Sequence, residues 1–150
     1  MLQETIGPVL QKVQMLVQGD HQSKTTLYAA LEAIMGTLAR EPWVAQLIVR
    51  EVLAEDGPFR DLFIREFAAR GGGRLPSLLK RDIASGRIRK DFDPVLGALS
   101  FLGMALFPFI ALPVVEKIFR IKMSAPFVQR MIKHTDQLFY FGAATNRKNP

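Results

Sequence analysis

Cysteine is absent from the 150 residues, and with it go disulfide frameworks, thiolate zinc sites and cysteine nucleophiles. Its absence fits a reducing compartment, and the first residues, Met1-Leu2-Gln3-Glu4-Thr5, hold no basic region ahead of an apolar stretch. No secretory signal is read there, and a cytoplasmic location is expected. Histidine is scarce: His21 and His134 are the two in the chain, and neither has an acidic neighbour at metal-ligand spacing. No Gly-x-Ser-x-Gly elbow surrounds Ser100, and Gly71-Gly72-Gly73 lacks both the Walker pattern and a preceding strand. Glu51 and Glu55 lie one turn apart, but beside Arg50 and Asp56 they describe a solvated helix face. The expectation is therefore no catalytic site, no metal and no cofactor. Strand patterning is missing too, since no segment alternates apolar with polar residues and enriches β-branched ones.

What is present is helical periodicity. A chain of 16.8 kDa with 49% hydrophobic and 23% charged residues fits one ordinary globular domain. Ile6, Val9, Leu10, Val13, Leu16 and Val17 recur at the spacing of one helical face, and Gly19-Asp20 ends it. Ser23 can cap a second helix whose stripe is Leu27, Ala30, Leu31, Ile34, Met35 and Leu38. Pro42 opens a third, with Val44, Leu47, Ile48 and Val52 inward, ending before Asp56-Gly57. Pro58 opens a fourth, where Phe59, Leu62, Phe63 and Phe67 share a face. The three glycines then cost a helix interior about 2–3 kcal/mol relative to alanine. Leu75, Leu78, Leu79 and Ile83 nonetheless resume the stripe up to Gly86, so a kinked helix or two nearly collinear pieces are expected.

Asp93-Pro94 is a strong helix start, with an N-cap followed by proline at the first helical position. Residues 95–115 after it contain no charge and are long enough to span a bilayer. Gly97, Ser100, Gly103, Pro108 and Pro113 interrupt the run and no aromatic belt flanks it, so a helix buried between its own core and a partner subunit is expected rather than a membrane span, and no membrane partner. The alternative, resting on this run and its basic flanks, is a small helical membrane-associated or structural interaction protein. The last helix runs from about Ser124-Ala125-Pro126 to Gly142, and its apolar residues cover more than one stripe. One face meets the core and the other requires a second copy, across a four-helix contact formed with the uncharged helix. Leu96, Gly97, Ser100, Gly103, Phe127, Met131, His134 and Leu138 are the expected dimer contacts, the small ones allowing close approach.

The net charge of +6 is uneven. Residues 60–90 hold nine Lys/Arg against three Asp/Glu, and residues 116–150 hold seven against two. The first block, Arg60, Arg65, Arg70, Arg74, Lys80, Arg81, Arg87, Arg89 and Lys90, is spread through an amphipathic pattern without interleaved aromatics. It describes a solvated face rather than a nucleic-acid platform.

The stretch Leu78-Leu79-Lys80-Arg81-Asp82-Ile83-Ala84-Ser85-Gly86-Arg87-Ile88-Arg89-Lys90-Asp91-Phe92-Asp93-Pro94 resembles a recurring segment of the TetR family of bacterial transcriptional regulators. In that family a long helix ends in glycine, a hydrophobic residue, arginine and spaced aspartates before an Asp-Pro helix start. Gly86, Ile88, Arg89, Asp91, Asp93 and Pro94 match in place. The Glu41-Pro42-Trp43 opening and the terminal pair of apolar helices resemble the family's ligand-binding and dimerisation domain. The resemblance covers residues 1–143, with 144–150 a polar tail. It implies an all-α domain of about six helices whose last two long helices form a dimeric four-helix bundle.

The resemblance also implies a small apolar or amphipathic ligand, a homodimer, and DNA contact only through an N-terminal helix-turn-helix to which nothing in this sequence corresponds. Ser23-Lys24-Thr25-Thr26-Leu27-Tyr28 echoes the start of a recognition helix, but the tight turn that must precede one is missing and Leu27 onward patterns as core. Leu31, Met35, Trp43, Leu47, Phe59, Phe63, Phe67, Phe101, Met104 and Phe107 are the pocket candidates, with Arg50, Arg65 or Glu66 as polar determinants. Met35 and Met104 suit a pliable site. Ligand entry would displace the helix carrying residues 58–86 and change the spacing of paired DNA-binding heads.

Overall fold

The computed structural model describes residues 26–70 and 75–143, with side chains placed for residues 27–65 and 75–142. The expected first helix, its Gly19-Asp20 stop, His21, the Ser23 cap, the triple glycine and the polar tail lie outside the described residues. Within them the chain is all helical: α1 (Thr26–Arg40), α2 (Trp43–Ile48) continuing into a π-helical turn (Val49–Leu53), α3 (Arg60–Arg70), α4 (Leu75–Ala84), α5 (Pro94–Ile110), α6 (Leu112–Phe119) and α7 (Ala125–Ala143).

α1 sits between α5 and α7 and packs on both. That position explains why its buried set is broad. Leu27, Ala30, Leu31, Ile34, Met35 and Leu38 are all buried, as the stripe predicts, and Ala33 is buried beside them. α5 turns one stripe, Ala98, Phe101, Ala105 and Phe109, into the same core, with the spacing of three and four that keeps side chains on one helical face. α7 contributes Val128, Ile132, Thr135 and Phe139, and α4 packs Leu75, Leu78 and Leu79 against α5.

α2 begins after Pro42 and buries Val44 and Ala45, while Trp43 is half exposed. The helix then widens: the Ala54 amide donates to the Val49 carbonyl at 2.9 Å, one residue beyond the α-helical register. The widened turn places Val52 in the core. Its C-terminal carbonyls are gathered by Arg60, whose Nε donates to Val52 O at 3.0 Å and whose Nη2 donates to Leu53 O and Ala54 O. A guanidinium suits that place, because the last carbonyls of a helix have no intrahelical partner and carry the negative end of its dipole.

The charge-free run is not a single helix. α5 closes at Ala111, and α6 starts with Pro113 in its first turn, the two axes meeting at 79°. No single helix among the described residues is long and apolar enough to cross a membrane. Nor is α5 buried all round, since one side of it faces outward.

Candidate functional site

The segment that joins α4 to α5 is held by the residues of the glycine-to-proline motif, each for a local reason. Gly86 has φ +81, a left-handed conformation that side chains disfavour, and it lets the chain leave α4. The amides of Arg87 and Ile88 then return to the Asp82 carbonyl at 3.0 and 3.2 Å. Ile88 is wholly buried. Arg89 pairs with Asp91 at 3.3 Å, lies 5.7 Å from the centre of the Phe92 ring, and reaches the Gly142 carbonyl at the end of α7. Asp93 caps α5 by accepting from the amides of Val95 and Leu96 at 2.8 and 3.1 Å, with Pro94 following. The motif is thus a tightly made corner that sets the start of α5.

Gly97 belongs to that corner. A Cβ there would lie 2.8 Å from Phe92 Cζ and 3.0 Å from Leu79 Cδ1, so the glycine admits the Phe92 ring rather than facing outward. Expected as a dimer contact, Gly97 is buried against its own chain. Phe92 in turn meets Phe139 edge to face at 6.0 Å, and Phe139 meets Phe101 at 5.8 Å, joining the corner, α7 and α5 in one aromatic chain.

The other expected dimer residues share two outward faces. On α5, Leu96, Ser100 and Gly103 are exposed, at spacings of four and three, and Phe107 continues the row four residues on. Val95 and Leu99 flank it, also exposed. A Cβ at Gly103 would meet no atom within 4 Å. On α7, Phe127, Met131, His134, Leu138 and Phe141 follow at spacings of four, three, four and three. Phe127 and Met131 are half-buried, His134 and Leu138 are exposed, and Phe141 is 75% exposed. This is the alternating four-and-three spacing that keeps one row of side chains along a single helix face. Phe127, Arg130, Met131, Lys133, His134 and Gln137 line an open hollow along α7, with the Arg130 guanidinium 5.9 Å from the centre of the Phe127 ring.

The pocket candidates divide. Leu31, Met35 and Phe101 are fully buried in the central cluster, and Leu47, Phe63 and Met104 pack against it half-buried. Trp43, Phe59 and Phe107 stand on the surface, Phe107 within the outward row of α5. The side chains of Phe67 and Glu66 lie outside those described, and Arg50 and Arg65 are exposed. Among the described residues no three His, Asp or Glu side chains gather as metal ligands.

Sequence reasoning missed α6, although Pro113 is the same early-helix signal that marks α2 and α5. It missed Leu99 as an outward residue, and the bond between Tyr140 and Asp82, which pairs residues too distant in sequence for any motif. No family model matches the chain, and no curated protein matches it.

Proposed function

We propose that this chain is the ligand-sensing and dimerisation domain of a transcriptional regulator similar to the TetR family, a cytoplasmic repressor whose DNA-reading heads lie outside this sequence. The observation that carries the reading is the pair of outward apolar rows on α5 and α7. Two long helices of one core each leave a face of large apolar residues in water. Two copies brought together through these faces bury them in a four-helix contact, with Gly103 at the closest approach.

A small apolar or amphipathic ligand enters where Leu31, Met35 and Phe101 meet Leu47, Phe63 and Met104. These residues come from α1, α2, α3 and α5, so a ligand between them separates α2 and α3 from α5, which carries one of the two outward rows. Coupling to the partner then runs through α5 and, by way of α4 packed on it, to α7, since Asp82 of α4 is bonded to Tyr140 of α7. The ligand acts by favouring one arrangement of the pair over another.

Native mass spectrometry of the purified chain tests the reading. A dimer that retains a discrete small-molecule mass is the expected result, and a monomer with no bound mass overturns it.

A further inference from the structure

α6 is built differently from its neighbours. None of its eight residues is buried, it packs chiefly on α5, and it stands at 79° to that helix. Val114, Ile118 and Phe119 are 57%, 66% and 67% exposed. Lys117, Arg120 and Lys122 are exposed among them. The nearby acid, Glu116, is turned to the chain, its Oε2 accepting from the Met123 amide at 3.1 Å. Arg120 ends the helix in a left-handed conformation, φ 52 and ψ 46, so the chain leaves α6 at once and the helix forms a projecting corner.

A projecting apolar face ringed by cations selects its partner by charge. A second copy placed on it would set Lys117, Arg120 and Lys122 against their own equivalents, and like charges brought together oppose association. A flat anionic surface with an apolar interior matches both parts of the pattern, since apolar side chains enter the headgroup boundary while cations stay with the phosphates.

We propose that α6 is a peripheral membrane contact, in which Val114, Ile118 and Phe119 enter the surface of an anionic phospholipid bilayer while Lys117, Arg120 and Lys122 pair with its headgroups. The helix lies on the bilayer and does not cross it. The contact uses no residue of the α5 and α7 rows, so its failure and the failure of the dimer reading are separately visible.

Vesicle flotation of the whole chain tests it, using phosphatidylcholine vesicles with and without phosphatidylglycerol. The expected result is flotation with the anionic vesicles alone, released by salt. K117Q and K122Q each weaken it by about fivefold, the factor that corresponds to one cation's attraction to an anionic surface. I118S/F119S abolishes flotation, with helical circular dichroism and subunit count as in the parent; if that variant fails to fold, the lysine variants decide. No flotation of the parent chain, or flotation unchanged in the lysine variants, overturns the proposal. So does an altered subunit count in I118S/F119S, which would assign the face to a second copy.

Discussion

The Tyr140 hydroxyl donates to the Asp82 carboxylate at 2.9 Å, tying the last helix to α4 across 58 residues of sequence. The bond is partly buried and its acceptor is a carboxylate, the class of hydrogen bond that contributes most to stability. Y140F keeps the ring, with its edge-to-face contact on Phe139 at 5.9 Å, and removes the hydroxyl. Chemical denaturation should show a loss of about 1–2 kcal/mol, with an unchanged helical spectrum.

Two glycines of α5 should respond in opposite ways. A methyl at Gly97 strikes the Phe92 ring, which Phe139 backs at 6.0 Å, so G97A costs about 1–3 kcal/mol of stability as an overpacked site. A methyl at Gly103 meets nothing within 4 Å, so in the isolated subunit G103A gains up to about 1 kcal/mol from helix propensity. Thermal melts at low protein concentration compare the two.

The outward rows predict a change of assembly without a change of fold. L138E and G103L alter exposed positions and should leave the circular dichroism of the subunit intact. Sedimentation velocity should report monomers where the parent sediments as a dimer. A dimer that persists in both variants places the subunit contact elsewhere.

Arg60 should act as a cap. R60A removes the donors to the carbonyls at the end of the π-helical turn and should cost about 1.5–3 kcal/mol in denaturant unfolding, as expected for bonds from a charged donor. R60K restores only part of this, because an ammonium cannot spread over several carbonyls as a planar guanidinium does.

Phe101 is the centre of the core, 1% exposed and joined to Phe139. F101A should cost about 3–5 kcal/mol through lost burial and a residual cavity. Under the proposed function it should also change the affinity for any retained small molecule, read by native mass spectrometry of the folded fraction.

Helix content was legible because its signals are local. The stripe from Leu27 to Leu38, the Asp93-Pro94 start and the Ala125 start of the last helix each lie within a few residues of sequence and survive folding unchanged. What misled was reading Pro108 and Pro113 as equal interruptions of one helix, when Pro108 lies inside α5 and Pro113 starts α6. Residues 95–115 look continuous by hydropathy, yet Pro113 lacks the amide that would continue α5 and instead suits the first turn of a new helix. Small size suggests Gly97 as a contact between copies, whereas the residue it admits is the Phe92 ring from the corner just before the helix. Size alone points Phe107 inward, yet it lies two residues, about 200° of helix rotation, from the buried Ala105 and Phe109 and so faces outward. The Tyr140 and Asp82 pairing could not be read, since neither residue carries a local sign of the other.

Among the described helices, the first and the last, α1 and α7, are packed side by side. The domain is therefore closed like a ring, and its clasp joins segments about a hundred residues apart. Such a contact is entropically the slowest to form, because the whole intervening chain must be drawn together before it repays anything. The α4 corner and α5, neighbours in sequence, can assemble before it. The clasp also makes the two helices interdependent: shortening α7 uncovers part of the buried face of α1, and removing α1 uncovers the buried face of α7. A chain cut in either place loses its centre, not its edge.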